Sequence, residues 1–222
     1  MKIIKVKDAG EGVDKAKSFI YKYSNSQTAL FLSGGLTPKA LYQTLSTDKK
    51  LKAGAVAVVD ERFGLPFHDN SNEKMIKDSH LFEYLKSTNT LVFTVLNGKD
   101  IDNTTKDYEK IISRLFKSYK QKIAILGIGE DGHTAGIPKG YYNSNELVIK
   151  IDDFPSEFRK RITLTFKALE QMDRLIVLVF GENKKKVLNE MFKKGLLEEL
   201  PARFYLQKEI SQKTILITDQ AV

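Results

Sequence analysis

The arrangement in this 222-residue chain best suited to moving a proton is a carboxylate two residues before a histidine, inside a turn built mostly from glycine. The stretch reads Leu126-Gly127-Ile128-Gly129-Glu130-Asp131-Gly132-His133-Thr134-Ala135-Gly136. A neutral imidazole takes up a proton near neutral pH, and Asp131 at this spacing could fix the tautomer or orientation of His133. The glycines let the backbone bend tightly and come close to a ligand. An Asp-x-His pair alone is a weak motif, and its value here comes from two further segments of the same kind.

The first is Phe31-Leu32-Ser33-Gly34-Gly35-Leu36-Thr37-Pro38-Lys39-Ala40-Leu41-Tyr42. An apolar run enters a Ser-Gly-Gly turn, with Thr37 where an N-cap belongs and Pro38 at the first helical position. Such a turn aims unpaired backbone N–H groups and the positive end of the helix dipole at one point above it. With the hydroxyls of Ser33 and Thr37 as extra donors, the natural occupant is a phosphate, though a plain helix cap that binds nothing fits this segment as well. No Walker loop, G-x-G-x-x-G or G-x-S-x-G pattern is present, so neither a nucleotide nor a serine nucleophile is expected.

The second is Val56-Ala57-Val58-Val59-Asp60-Glu61-Arg62-Phe63, where an apolar run delivers an Asp-Glu-Arg cluster. Arg62 offers a planar fork matched to phosphate or carboxylate, and the two acids beside it could hold that fork in place. A surface ion-pair cluster is the plainer account. Asp69-Asn70-Ser71-Asn72 reads as the cap of a helix starting near Glu73. His68 and His80 have no comparable setting, and three histidines without paired spacing predict no metal site.

The elements that must carry these loops alternate between strand-like and helical runs, which predicts an α/β fold with a mostly parallel sheet. Candidate strands are Ile3–Val6, Ala29–Leu32, Ala55–Val59, Thr90–Thr94, Lys122–Leu126, Leu147–Lys150, Arg161–Thr165, Leu175–Phe180 and Thr214–Ile217. Tyr108, Ile111, Ile112, Leu115, Phe116 and Tyr119 form a clean i, i+3, i+4 stripe of a core-facing helix. Gly195 is expected to close another helix after Lys193-Lys194. The longest irregular stretches, Leu65–Asn72 and Gly136–Asn145, follow the candidate site residues. Loops beyond the carboxyl ends of strands are where such sheets bind ligands.

The length predicts one domain spanning 1–222, with room for a small subdomain. With 41% hydrophobic and 29% charged residues the composition is that of a globular protein, and the absence of cysteine excludes disulfides and thiolate metal sites. The N-terminal stretch alternates charged and apolar residues without a signal-peptide core, and no run approaches the roughly 18 apolar residues of a membrane span. A cytoplasmic chain with no membrane partner is therefore expected. The net charge of +8 (36 basic, 28 acidic) fits nucleic acid, an anionic small substrate or a lysine-rich proteome. The lysines are dispersed, however, and no zinc-finger, RNA-binding or basic-zipper pattern occurs, so no nucleic-acid partner is expected. Lys184-Lys185-Lys186, the densest run, reads as the solvated face of a helix whose other side carries Val187, Leu188, Met191 and Phe192.

The three loops, in this order, resemble the 6-phosphogluconolactonase family, within the wider group that includes glucosamine-6-phosphate isomerase/deaminase. The resemblance rests on Ser33-Gly34-Gly35-Leu36-Thr37-Pro38, on Asp60-Glu61-Arg62 with Ser71-Asn72, and on Leu126 through Ala135. Arg161-Ile162-Thr163-Leu164-Thr165, Phe180-Gly181-Glu182-Asn183-Lys184, Pro201-Ala202-Arg203 and Thr218-Asp219-Gln220-Ala221 extend it over nearly the whole chain.

It implies a doubly wound, Rossmann-like sheet with helices on both faces, and hydrolysis of a phosphorylated sugar lactone to its acid without metal, nucleotide or other cofactor. Carried over by position, Ser33, Gly34, Gly35 and Thr37 hold the phosphate, Arg62 binds it or fixes the substrate nearby, and Arg161 and Lys184 add contacts. His133 is then the general base and Asp131 its orienting partner, with glycine-rich backbone N–H groups as candidates for the oxyanion site.

Two departures stand out. After Ala135 the family usually continues with small and apolar residues and then Phe-Pro-Gly, whereas this chain reads Gly136-Ile137-Pro138-Lys139-Gly140, a shortened loop. Phe63-Gly64-Leu65 has some flavour of the deaminase branch. That branch, however, carries Ile-Gly-Phe-Asn-Glu after its Asp-Gly-His, with the glutamate paired to the histidine for ring opening. Here Thr134-Ala135-Gly136-Ile137-Pro138 follows His133 instead. The deaminase or isomerase, and a non-catalytic sugar-phosphate sensor, therefore stand as alternatives behind the lactonase.

Overall fold

The computed structural model describes residues 1–141 and 144–221. Its centre is set by four largely apolar runs too short for helices: β2 (Thr28–Leu32), β3 (Ala55–Val58), β6 (Gln121–Gly127) and β9 (Arg174–Val179). A strand covered on both faces reads as a continuous apolar run rather than an alternating one, and β2 and β3 are buried at every position. With β1 (Lys2–Lys5), β5 (Leu91–Phe93) and β10 (Thr214–Thr218) they make a seven-stranded sheet, ordered β1-β10-β9-β6-β2-β3-β5 and parallel throughout.

Helices α1 (Ala9–Tyr23), α2 (Leu36–Asp48), α3 (Asn72–Asp78), α4 (Leu81–Ser87), α5 (Ile101–Ser118), α6 (Phe166–Glu170), α7 (Lys185–Phe192) and α8 (Lys208–Lys213) pack around this sheet. In α5, Asp100 caps the N-terminus by accepting from the Asn103 N–H at 2.9 Å, and Tyr108, Ile112 and Leu115 of the expected stripe are buried. Each such side chain contributes about 1.5–3 kcal/mol of burial free energy.

The winding order decides where a ligand can bind. From β2 the chain moves outward through β3 to β5, then returns to the other side of β2 as β6 and continues outward through β9 to β10. The direction reverses between β2 and β6, paired from Thr28↔Gln121 to Leu32↔Ile125, so the loops leaving these two strands splay apart and open a crevice. Those loops begin at Ser33 and at Ile128.

All nine expected strands are present, and one was missed. Asp60–Arg62 forms β4, an edge of a separate three-stranded antiparallel sheet with β8 (Arg161–Leu164) and β7 (Val148–Ile151), in the order β4-β8-β7. Val59 joins the two sheets: its N–H donates to Leu32 O and its carbonyl accepts from Leu164 N, each at 2.9 Å. The loop expected over Gly136–Asn145 is irregular as far as Tyr141, and its positions 142 and 143 lie outside the described residues. Gly195 does not close α7. The helix ends at Phe192 with Lys193 extended, and Gly195 instead lies against the Arg203 guanidinium, in space a Cβ would occupy.

Candidate active site

Three strand ends and one helix start meet over a cleft of about 490 Å³ at the reversal point. Ser33, Gly34, Gly35 and Thr37 line it from the loop after β2, Arg62 and Arg161 from the small sheet, His133 from the loop after β6, and Lys184 from the turn after β9. The expected binding residues thus come together in one place. Asp131 stands behind His133 rather than on the cleft wall.

The loop after β2 differs from expectation in one detail. Gly35, not Thr37, is the residue before α2, and its φ of +115° is a conformation that L side chains rarely adopt. Leu36 is the first helical residue, so Thr37 and Pro38 lie within the first turn. No side chain caps this helix. Its first N–H groups therefore face the cleft without a side-chain acceptor, which suits an anion. Ser33 is 5% exposed, and its buried Oγ has no hydrogen-bond partner. Gly34 is explained by Asn72, whose side-chain amide occupies the space where a Cβ would lie. Asn72 also lines the cleft and donates to Asp60 O at 2.7 Å.

Arg62 is not gripped by the acids beside it. Its Nη1 donates to Asn70 O at 2.7 Å, its guanidinium carbon lies 5.6 Å from the Phe158 ring centroid, and its buried Nε has no partner. Glu61 turns inward instead and accepts from the N–H groups of Arg62, Asn72 and Glu73 at 2.7–2.8 Å. Ser71 caps α3, accepting from Lys74 N at 3.0 Å as expected of this segment. Asp60 belongs to Arg161, with Oδ2 3.7 Å from Nη1 and both side chains almost fully buried. Burial pulls the Arg161 pKa down and the Asp60 charge opposes it. Arg161 also donates to Ser156 Oγ and Phe158 O.

On the opposite wall, Gly181 turns the chain at φ +98°, and its N–H is held 3.1 Å from both carboxylate oxygens of Asp219. This turn presents Asn183 and Lys184 to the cleft. Asn183 Nδ2 donates to Glu130 Oε1 at 2.6 Å, tying this wall to the histidine loop. Burial lowers the Lys184 pKa, against the nearby charges of Glu130 and Asp131.

Asp131 Oδ1 lies 2.6 Å from His133 Nδ1 and also accepts from the His133 N–H at 3.2 Å. The hydrogen bond to His133 holds the Asp131 carboxyl down to about 2, so it is ionised and can only accept. In the neutral imidazole the ring proton therefore sits on Nδ1 and leaves Nε2 as the basic atom. The His133 ring meets the Phe154 ring edge-on, with centroids 5.2 Å apart and an interplanar angle of 85°. Phe154, Asn72 and Asp60 escaped the sequence reading as site residues. A lone phenylalanine in a polar loop has no periodic signal, while Asn72 and Asp60 sat inside segments read for other residues. His68 and His80 stay outside this group: His68 Nε2 lies 3.0 Å from Arg62 O, and His80 precedes α4. Among the described residues, no group of three or more His, Cys, Asp or Glu is placed to hold a metal ion.

The parallel sheet with its crevice at the reversal point, lined by Arg62, Arg161, Lys184 and the aspartate-paired His133, defines an α/β protein with a cationic cleft. The family model for glucosamine-6-phosphate isomerases/6-phosphogluconolactonase matches residues 11–216, and the chain belongs to that family. It is 30% identical to a 6-phosphogluconolactonase of Helicobacter pylori, over 83% of this chain and 82% of that one. It is 28% identical to a glucosamine-6-phosphate deaminase of Enterococcus faecalis, over 100% of this chain and 98% of that one. The crystal structure of the Thermotoga maritima 6-phosphogluconolactonase superposes with a TM-score of 0.78 at 29% identity, covering 97% of each chain. No helix among the described residues is long and apolar enough to cross a membrane.

Proposed function

We propose that the protein hydrolyses 6-phosphogluconolactone to 6-phosphogluconate by general-base catalysis. The observation that carries this reading is the His133–Asp131 pair in the same cleft as the uncapped start of α2, Arg62, Arg161 and Lys184. The phosphate rests on the Ser33–Thr37 loop, where the unpartnered Ser33 Oγ and Arg62 Nε supply donors that otherwise lack acceptors. Arg161 and Lys184 complete the cationic wall. His133 Nε2 removes a proton from a water molecule as that water attacks the lactone carbonyl carbon, and Asp131 stabilises the imidazolium. Backbone N–H groups of the glycine-rich loops are the candidates for receiving the oxyanion. When the tetrahedral intermediate collapses, the bond to the ring oxygen breaks and His133 returns its proton to that oxygen, leaving the free acid. A six-membered lactone is already reactive, so much of the rate gain comes from holding C1 against the water through the distant phosphate.

The full-length similarity to a deaminase keeps that activity as the second reading. Against it, the imidazole's hydrogen-bond partner among the described residues is Asp131, the segment Thr134-Ala135-Gly136-Ile137-Pro138 after His133 holds no glutamate, and Asp60, the cleft-lining carboxylate among the described residues, is engaged with Arg161. We also place the activity in the cytoplasm, because a phosphorylated sugar acid carries too much charge to cross a bilayer unaided.

The test is acid release from freshly generated 6-phosphogluconolactone, followed by pH-stat and corrected for spontaneous opening. The wild-type chain should accelerate it, and His133→Ala should lower kcat by about 10²–10⁴-fold without loss of fold. Ammonia released from glucosamine 6-phosphate would establish the deaminase instead, and binding without turnover would indicate a sensor.

A further inference from the structure

The loop that carries His133 is folded on itself by two short bonds, Gly129 N to His133 O at 2.9 Å and Gly132 N to Gly129 O at 3.0 Å. Neither fastens it to the rest of the molecule. Besides the Asn183–Glu130 bond on the opposite wall, that attachment comes from the 3-10 helix Pro201–Leu206. Ala202 N donates to Gly132 O at 3.0 Å, and Leu200 fills the space that a Cβ on Gly132 would need. One residue after the histidine, Thr134 Oγ1 donates to Gly127 O at 2.9 Å and meets the hydroxyl of Tyr205, 71 positions along the chain. A threonine hydroxyl has one proton, and here it is committed to Gly127, so the phenol is the donor in the Tyr205–Thr134 pair. Both residues are buried, at 0% and 1% exposure, and Tyr205 is not among the residues that line the cleft. Burial raises the phenol pKa, which keeps it a donor. On the far side of Thr134 the chain is pinned again, with Gly136 N donating to Thr163 Oγ1 at 2.8 Å.

We infer that Tyr205 is a positioning residue for His133: its hydroxyl, acting through Thr134 and Gly127, locks the histidine loop to the end of β6 and so sets the imidazole's place in the cleft. This rests on the reading of His133 as the base. It separates two jobs within the molecule, because Ser33, Gly35, Arg62 and Arg161 stand on other strand ends and line the cleft, whereas Tyr205 does not line it.

Tyr205→Phe removes only the donor. On 6-phosphogluconolactone, kcat should fall roughly tenfold or more while KM stays within about twofold, since small misplacement of a catalytic group costs rate rather than ground-state binding. Thr134→Val should repeat the loss from the other side of the bond, and Thr134→Ser should recover most of it. Tyr84→Phe removes another tyrosine hydroxyl, one that donates to Leu51 O at 2.9 Å on a wall of a different cavity. It should lose thermal stability with kcat unchanged, which shows that lost stability alone does not lower the rate. If Tyr205→Phe does not fold, the Thr134→Val and Thr134→Ser pair decides the matter. Wild-type kcat in a folded Tyr205→Phe or Thr134→Val variant would overturn the positioning role, as would a change confined to KM. His133→Ala is measured alongside. Full activity there removes the base and this inference together, whereas an inactive His133→Ala with an unaffected Tyr205→Phe removes the positioning role only.

Discussion

The guanidinium carbon of Arg161 lies 3.6 Å from the centroid of the Phe154 ring, within stacking distance. The edge-on contact with His133 places this one ring between the buried cation and the imidazole. Phe154 is 2% exposed and belongs to a small apolar cluster with Ile149 and Ile151, so the loop between β7 and β8 is anchored through it. A desolvated cation–π contact contributes up to about 2 kcal/mol. Phe154→Ala should therefore raise KM for the phosphorylated lactone about tenfold and destabilise the fold by about 3–5 kcal/mol. Phe154→Leu separates the two effects: it restores most of the thermal stability but leaves KM high. A wild-type KM in the leucine variant, measured by steady-state kinetics, would mean that the aromatic face has no part in placing Arg161.

Arg62 has a different kind of support. With Nη1 fixed to Asn70 O and Nε buried without a partner, its fork is oriented but not saturated. A charge-assisted hydrogen bond contributes about 1.5–3 kcal/mol, so Arg62→Ala should raise KM about 10- to 100-fold with a smaller effect on kcat. Lysine should not rescue it, because a point charge cannot reproduce a planar, two-pronged donor. Loss of the fold in Arg62→Ala, with affinity intact in whatever remains folded, would make this residue structural.

The physics of burial explains what could be read from the chain and what could not. β2, β3, β6 and β9 are covered on both faces, so each shows as an unbroken apolar run whatever its neighbours. β4 shows no such run. Its three residues are Asp60, Glu61 and Arg62, and they are strand only because Asp60–Arg62 pairs with Arg161–Thr163 about a hundred positions away. The same long-range pairing decides which acid serves which arginine: adjacency in sequence joins Asp60 to Arg62, while pairing of β4 with β8 sets Arg161 opposite Arg62 and brings its guanidinium to the Asp60 carboxylate. Thr37 misled because a threonine before a proline has good cap chemistry, yet Gly35 can take a positive φ and started the helix two residues earlier. The Asp131–His133 pair was legible because both partners lie within one turn. Tyr205 and Phe154 were not, since their roles exist only after the chain has folded back on itself.

A buried carboxyl pair beside the cleft gives the fold a pH dependence of unusual sign. Glu61 and Glu73 are both fully buried. Glu73 Oε1 accepts from Leu96 N at 2.9 Å and from Val95 N, while its Oε2 is buried without a partner. Burial pushes Glu73 from 4.5 up to about 7, and burial together with the Glu73 charge pushes Glu61 upward as well. The folded chain thus keeps protons that the unfolded chain has released, so these groups cost stability as pH rises from about 4.5 through about 7. Glu73→Gln removes one of these ionisations. In urea denaturation, the wild type should lose more stability than Glu73→Gln between about pH 5 and about pH 8. Parallel losses in the two proteins would show that Glu73 does not ionise across this range.

Gly129 offers the sharpest separation of proton transfer from binding. It does not have a positive φ, so alanine fits its backbone, but a Cβ there would overlap Nδ1 and Cε1 of His133 and crowd Oδ1 of Asp131. The histidine would have to move, and the 2.6 Å bond that sets its tautomer would break. Ser33, Gly35 and Arg62 lie on other strand ends and are untouched by that change. Gly129→Ala should therefore lower kcat by about 10²-fold with KM nearly unchanged. The wild type should show a downfield proton resonance for the His133 Nδ1–H that Asp131 accepts, and this resonance should disappear in the variant. If Gly129→Ala retains full kcat with that resonance intact, the imidazole has been accommodated elsewhere in the loop, and the Asp131 bond does not hold the base in its working position.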